Sequence, residues 1–321
     1  MEYLLNGSTD PYFNMAHDEY CLENLPLRKP VFYLWQNRPS VIIGQNQNAY
    51  TEVNLRYLED NGIALARRVT GGGAVYHDLQ NLNFTIMGRA QQLEDEDPEY
   101  AQTLAACLRT LGVDAQISGR NDILVGGRKI SGFAKRVWKD RILVHGTLMY
   151  DVDLEKLSKA LDCPESKLHA AGIASVKSRV ANLKDLLPWI KDISHLKACL
   201  QEIMAGRDSL IEINATPVEE LAKTKFATWE WIYGRSPAAG FERRLRLACG
   251  TVQAICSVDK GKLTGLEFGG DFLGGLPSEE LAAKLIGCRY EKNALLEALK
   301  GLNVGAYFDS VGPQELIRVL I

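Results

Sequence analysis

The chain of 321 residues is 46% hydrophobic and 24% charged, carries a net charge of −3 and holds seven cysteines. That balance belongs to ordinary globular proteins and excludes disordered, collagenous and disulfide-scaffold classes; at roughly 100–200 residues per domain, the length predicts two domains or one with an appendage. No apolar run approaches the ~20 residues needed to span a bilayer, and the start Met1-Glu2-Tyr3-Leu4-Leu5-Asn6 has no signal-peptide character, so a cytoplasmic protein without a membrane partner is expected.

In chain order, Asp10-Pro11 opens a capped helix running to about Asn24. The apolar runs Val31 to Trp35 and Val41 to Gly44, separated by Asn37-Arg38-Pro39-Ser40, predict a pair of buried strands joined by a turn. A helix over 52–61 and a strand over 63–67 lead to the glycine loop Thr70-Gly71-Gly72-Gly73, and 83–87 returns to strand character. The acidic stretch Glu94-Asp95-Glu96-Asp97 reads as a surface loop before a helix over 99–111. From Asp122 to Tyr150, β-type residues with turns at Gly126-Gly127 and Lys139-Asp140 predict three antiparallel strands. Helices follow over 154–161, 196–204 and 217–231. A change of texture after Pro237 places a domain boundary near Phe241, dividing the chain into 1–240 and 241–321. Beyond it come a hairpin turning at 259–262 and helices at 278–285, 293–299 and from Pro313. Helices mixed with mainly antiparallel strands, without regular βαβα alternation, indicate an α+β fold.

Three segments can carry chemistry. After a strand, Arg67-Arg68-Val69-Thr70-Gly71-Gly72-Gly73 lets backbone N–H groups converge on an anion, with Arg68 as a charge-assisted donor; a plain flexible turn is the alternative. It is neither a Walker loop nor a dinucleotide-binding GxGxxG. In Asn121-Asp122 to Gly132, a hairpin turn at Gly126-Gly127 brings Asp122 near Lys129, and period-two alternation sets Lys129 and Ser131 opposite Ile130. A lysine and a carboxylate beside a glycine turn suit a phosphate and its Mg²⁺, whereas an ordinary charged surface hairpin is the other reading. The third is the strand His145-Gly146-Thr147, whose single histidine reads more readily as a hydrogen-bonded structural residue than as a catalyst. The five histidines form no metal-binding spacing, the seven cysteines no CxxC pair, and Cys163 has no visible base to activate it. The chain as a whole is not basic, which argues against a nucleic-acid partner. Residues 119–145 nevertheless hold seven basic side chains, among them Lys135, Arg136, Lys139 and Arg141, against two acidic ones, a local +5 that suits an anionic partner.

Together these segments, with Asn14-Met15-Ala16, Ser175 to Leu183 and Trp229-Glu230-Trp231, resemble the lipoate–protein ligase A family over nearly the whole chain. The resemblance implies a biotin/lipoate ligase-type catalytic domain with a mixed or antiparallel sheet, followed by a small α+β accessory domain. It implies activation of lipoate by MgATP to lipoyl-AMP and pyrophosphate. The lipoyl group then passes to a lysine of apo lipoyl domains, in 2-oxoacid dehydrogenase E2 subunits or the glycine cleavage H protein, by an enzyme acting as a monomer. On the matching positions, Lys129 is the catalytic lysine and Arg68, Gly73, Ala74, Val75, Tyr76, Asn121 and Asp122 face ATP, Asp122 with Mg²⁺. Gly71, Gly72, His77, Met15 and His145, with Arg68 and Lys129, face lipoate, and Ser178 and Arg179 belong to a mobile adenylate loop. His17 stands where the family has an apolar residue lining the acyl pocket, which would narrow or polarise that pocket. The competing expectations are an ATP-independent lipoyl or octanoyl transferase of the same fold, and a binding protein that has lost catalysis.

Overall fold

The computed structural model of the protein describes residues 1–89, 99–119, 121–161, 179–206 and 210–321. Along the first part run β1 (Glu2–Leu4), α1 (Pro11–Asn24), β2 (Val31–Trp35), β3 (Ser40–Ile43), α2 (Leu55–Asp60), β4 (Ala64–Arg67), β5 (Val75–His77) and β6 (Asn81–Arg89). Next come α3 (Glu99–Thr110), β7 (Gln116–Ser118), β8 (Asp122–Val125), β9 (Arg128–Trp138), β10 (Arg141–Met149), α4 (Leu154–Leu161), α5 (Ile193–Ala205) and β11 (Leu210–Ile211). The chain closes with α6 (Thr216–Leu221), α7 (Trp229–Ile232), β12 (Ala239–Leu247), β13 (Gly250–Asp259), β14 (Lys262–Gly270), α8 (Ser278–Leu285), α9 (Lys292–Ala298) and α10 (Pro313–Leu320).

The central layer is an eight-stranded mixed sheet in the order β11-β1-β2-β6-β10-β9-β8-β7. It is parallel only across β11, β1 and β2, and antiparallel elsewhere. β2 explains why this sheet lies inside the protein. Its alternate residues Val31, Tyr33 and Trp35 enter one core and Phe32 and Leu34 another, so all five are buried. α3 and α5 cover the second face through Leu104, Leu108, Leu196 and Leu200. α1 and a three-stranded sheet, β4-β3-β5, cover the first face. α1 starts where the sequence places it: the Asp10 carboxylate accepts from the Tyr12 N–H at 2.8 Å, and Pro11 sets the first turn.

Several expectations change. The runs at 31–35 and 41–44 do not pair: β2 joins the large sheet, and β3 pairs with β4 and β5 in the smaller one. The intervening Asn37 is fully buried and hydrogen-bonded across both layers, so this segment is a crossover between sheets. The helix at 52–61 shortens to Leu55–Asp60 because Asn54 caps it, accepting from the Tyr57 N–H at 3.0 Å. The helix at 217–231 breaks into α6, a π-helical turn over Ala222–Phe226, and α7 capped by Thr228. The three antiparallel strands between 122 and 150 are present, with left-handed residues at both turns: Gly126, Gly127 and Lys139.

The C-terminal strands form a separate antiparallel sheet, β12-β13-β14, one strand more than the hairpin expected, because the charged run Glu242-Arg243-Arg244 masks the alternation of β12. Alternate residues Val252, Ala254, Cys256 and Val258 of β13 meet Leu281, Leu295 and Leu316 from the three last helices. Tyr50 is one bridge to the rest of the protein, beside the Lys292–Glu59 and Arg289–Glu230 ion pairs. It is fully buried in this C-terminal core among Tyr233, Phe241 and Tyr290, and its carbonyl accepts from Arg243 at 3.3 Å. Among the described residues no helix is long and apolar enough to cross a membrane.

Candidate active site

A cleft opens between the large sheet and the glycine loop that follows β4. Two successive arginines leave that strand in opposite directions, as strand geometry requires. Arg67, fully buried, donates to the carbonyls of Gly44, Gln45, Gln47, Trp231 and Ile232 and to the Ser236 hydroxyl. Arg68 turns the other way and braces the glycine loop, donating to the Ile42, Gly71 and Gly73 carbonyls and the Thr70 hydroxyl. Burial lowers the Arg68 pKa to about 10, so it stays cationic at neutral pH. Gly72 adopts φ +94, the left-handed region in which a side chain would be strained.

Thr70 continues the network. Its hydroxyl lies 2.7 Å from His145 Nε2, and His145 Nδ1 lies 2.6 Å from Asp18 Oδ2. Asp18, 1% exposed, also accepts from the hydroxyls of Tyr33 and, at 3.0 Å, of Thr85. The glycine loop is thus tied through Thr70 and His145 to a buried carboxylate on α1. Burial and Asp18 together push the Tyr33 phenol well above its ordinary value, so it remains a donor.

Opposite the loop, Lys129 Nζ pairs with Asp122 Oδ1 at 2.8 Å, each side chain about one-third exposed (34% and 33%). The predicted companionship of Lys129 and Ser131 does not hold. Ile123 pairs with Ser131 and Leu124 with Lys129, leaving Ile130 as a bulge residue that breaks the alternation. Lys129 therefore extends over Gly132, where a β-carbon would stand 2.8 Å from its Nζ, and Ser131 is buried beneath. The Lys129 carbonyl accepts from the Ala181 N–H at 2.9 Å, just after Arg179, which is exposed.

The structure brings most of the predicted site residues together. Arg68, Gly72, Gly73, Ala74 and Val75 line one wall, Asn121 and Lys129 the other, and Met15, His77 and His145 the depth. Gly71 and Tyr76 are not on the lining; the Tyr76 ring is buried in the core behind it, and Asp122 reaches the cleft through Lys129. His17 also departs from expectation: it packs behind the wall against Phe13, Tyr33 and Cys21, where burial lowers its pKa to about 4. Thr147 of the third segment lines the cleft, and Trp35, Ile42 and Asn83 do so without having been singled out in the sequence. Cys163 and the first part of the Ser175 to Leu183 segment, residues 175–178 including Ser178, lie outside the described residues, as do Arg120 and the acidic stretch at 94–97.

The floor is a single row across the large sheet. Trp35 pairs with Asn83, Asn83 with Thr147, and the Thr147 hydroxyl accepts from the Gly132 N–H at 3.2 Å. A long narrow molecule held at Lys129 would run along this row. The basic strip is less unified. Arg136 donates to the Val69 carbonyl and lies near Glu19, and Arg141 donates to the Leu22 and Leu25 carbonyls at the end of α1. Lys135 and Lys139 are exposed. No cysteine among the described residues lines the cleft. Nor do three or more His, Cys, Asp or Glu side chains there gather as a metal cage.

Comparison with known proteins gives consistent matches. A family model described as the lipoyl protein ligase A/B catalytic domain matches residues 10–205, and one described as the bacterial lipoate protein ligase C-terminus matches residues 236–320. Lipoate–protein ligase 1 of Staphylococcus aureus (strain Mu50) is 37% identical over a 333-residue alignment that spans 100% of both chains. Among solved structures, the bi-partite lipoate protein ligase of Thermoplasma acidophilum, described with its E2 lipoyl domain, is similar at TM-score 0.63. It has 31% identity, covering 73% of this chain and 96% of that one. A lipoate-protein ligase A bound with ATP matches at TM-score 0.61 and 31% identity, over 73% of this chain and 98% of the other.

Proposed function

The chain belongs to the lipoate–protein ligase family, and from that premise we propose how its cleft performs an ATP-dependent ligation, with residues 1–240 as the catalytic domain and 241–321 as an accessory one. The observation that carries the reading is the position of Lys129, a cation lining the same cleft as a glycine loop braced by Arg68.

A carboxylate attacking the α-phosphate of ATP brings two anions together, so fixed positive charge and orientation supply much of the rate. Lys129 lies between the lipoate carboxylate and that phosphate and stabilises the charge that develops as the acyl–oxygen–phosphorus bond forms and pyrophosphate leaves. The backbone of Gly73, Ala74 and Val75 meets the nucleotide. Arg68 acts by holding that backbone, since its Nε, Nη1 and Nη2 are all engaged by the protein itself. Tyr76 supports the loop from the core side, and Gly71 lets the chain turn away from the ligand. Asp122 and Asn121 offer one carboxylate and one amide, a donor set that suits a magnesium ion shared with substrate phosphates and retaining its waters. Bound there, the ion would neutralise phosphate charge, and the Asp122–Lys129 pair would keep the carboxylate aimed.

Met15, His77 and His145 enclose the acyl chain, with Gly72 close to it. In the second half-reaction the amine of an acceptor lysine attacks the acyl carbonyl, forms the amide and expels AMP. The acceptor is the apo lipoyl domain of a 2-oxoacid dehydrogenase E2 subunit or the glycine cleavage H protein. The enzyme works as a cytoplasmic monomer, and the exposed Arg179, two residues before the Ala181 that bonds to the Lys129 carbonyl, faces the adenylate.

The test is intact mass of an apo lipoyl domain incubated with the protein, lipoate and MgATP, beside Lys129→Ala and an ATP-free control. An ATP-dependent lipoyl mass gain lost in the variant supports the reading. Transfer without ATP from an octanoylated carrier would replace it with an acyltransferase.

A further inference from the structure

The cleft holds two buried side-chain nitrogens without a partner among the described residues, one from Asn83 on the floor row and one from His77 on β5 of the smaller sheet. Asn83, 1% exposed, accepts from the Asn81 amide at 2.8 Å through its Oδ1, while its Nδ2, like the Asn81 Oδ1, has no partner among the described residues. His77, 3% exposed, likewise has an unpartnered Nε2. Its tautomer follows from a chain of amides. The Ser8 and Gln36 carbonyls fix the Asn14 amide, Asn14 donates to Asn37 Oδ1 at 2.8 Å, and Asn37 therefore presents its Nδ2 to His77 Nδ1 at 3.0 Å. Nδ1 is the acceptor, so Nε2 bears the hydrogen. Burial, with Arg68 and His145 nearby, lowers the His77 pKa to about 3 and keeps the ring a neutral donor.

Both donors flank Trp35, which pairs with Asn83 across β2 and β6 and meets the His77 ring edge-on at 6.0 Å. Their depth is set by the sheet. Lys129 stands over Gly132 on β9, and Asn83 lies two strands away on β6, about 10 Å at ordinary strand spacing. That is roughly the reach of an extended eight-carbon acid anchored by its carboxylate at Lys129. An alkyl chain of this length would cover both donors with methylene groups. A chain carrying sulfur or oxygen at that depth would give them an acceptor.

We propose that Asn83 and His77 form a donor pair that selects acyl chains bearing an acceptor atom near their far end, such as a dithiolane sulfur, over plain fatty acyl chains. The inference rests on the ligase reading and assigns Asn83 as a specificity-determining residue. Unpartnered buried donors are costly, and a site built to hydrogen-bond rejects an analogue that lacks the partner. With sulfur as a weak acceptor, the preference expected is about tenfold or more in kcat/KM.

The experiment compares lipoate, octanoate and 6-oxooctanoate as substrates for ATP-dependent ligation to an apo lipoyl domain, using the full chain and its Asn83→Leu variant. The wild type is expected to favour lipoate and 6-oxooctanoate over octanoate by about tenfold or more. Asn83→Leu is expected to shrink that ratio to within about threefold. A wild type that treats 6-oxooctanoate and octanoate alike overturns the proposal, as does a variant that keeps the full preference. If Asn83→Leu is inactive with every acid, the wild-type comparison alone decides. Failure of the wild type to ligate any acid with ATP overturns the ligase reading itself, a result distinct from loss of selectivity.

Discussion

Gly44 and Gly72 meet backbone to backbone: a β-carbon on Gly44 would stand 2.1 Å from the Gly72 carbonyl oxygen and 3.2 Å from Arg68 Nη2. The obstacle is main chain, so an added methyl displaces the loop itself. Gly44→Ala is expected to slow pyrophosphate release with lipoate and ATP by about 100-fold, the usual consequence of a misplacement near 1 Å. Circular dichroism should still show a folded protein; unchanged adenylation would show that the loop needs no such fit.

Lys129 and Asp122 form a pair in which each side chain is about one-third exposed, and such solvent-screened pairs add little stability. Lys129→Ala should therefore alter unfolding free energy by no more than ~0.5 kcal/mol, while lowering lipoyl-AMP formation by about 100- to 1,000-fold. Denaturant titration beside radiolabelled ATP–pyrophosphate exchange separates the two effects. A large stability loss would mean that the lysine is structural.

Arg67 behaves in the opposite way. Its guanidinium satisfies carbonyls from the 44–47 turn and from residues 231–232, so Arg67→Met strands several buried acceptors at once. A loss of about 3 kcal/mol or more is expected in urea unfolding. Because Arg67 makes these contacts away from the cleft, residual folded protein should keep its affinity for lipoate, measurable by calorimetry.

His17 gives the protein an acid-sensitive core. Its pKa is about 4 in the folded state, lowered first by burial and partly restored by Asp18, against 6.5 when unfolded. Above pH 6.5 the ring is neutral in both states and contributes no pH dependence. As pH falls below 6.5 the unfolded chain takes up the proton first, so stability drops until the folded form also protonates near pH 4. The loss amounts to roughly 3 kcal/mol from this residue. His17→Phe should flatten the dependence of the melting temperature between pH 6.5 and 4 relative to the wild type. Parallel curves for the two proteins would exclude His17 as its source.

The exposed pair Lys135 and Lys139 can be separated from Arg136 and Arg141, which hold the glycine loop and the end of α1. If an acidic acceptor approaches this strand, Lys135→Glu with Lys139→Glu should slow transfer at low salt by about tenfold and leave adenylation unchanged. A transfer rate indifferent to both substitutions and to ionic strength would place the acceptor elsewhere.

The glycine loop, the Gly126-Gly127 hairpin and the strands around it were legible because glycine and alternation are local signals. Asp18 was not. Within α1 it looks like any polar helical residue, and only the packing of α1 on β6 and β10 brings its carboxylate to His145 and Thr85. Asn83 was hidden for a related reason, since its neighbours Trp35 and Thr147 are far away in sequence and become adjacent through register. The bulge at Ile130 took Ser131 off the face of Lys129, because one extra residue exchanges the two faces of a strand, while the expected approach of Asp122 to Lys129 holds. The pairing of β3 with β4 and β5 depended on a crossover whose buried Asn37 resembles an ordinary turn asparagine.

The opposed arginines at the end of β4 limit how this gene can change length. Each guanidinium is matched to carbonyls on its own side, Arg67 to Gly44 and Ile232, Arg68 to Gly71 and Gly73. Deleting or adding one codon within the strand would swap the two sides and leave both sets of carbonyls facing the wrong residue. The same change in the Asn61-Gly62 turn just upstream could be absorbed at the surface. Natural indels in this region should therefore collect in that turn, and those inside β4 should occur in pairs.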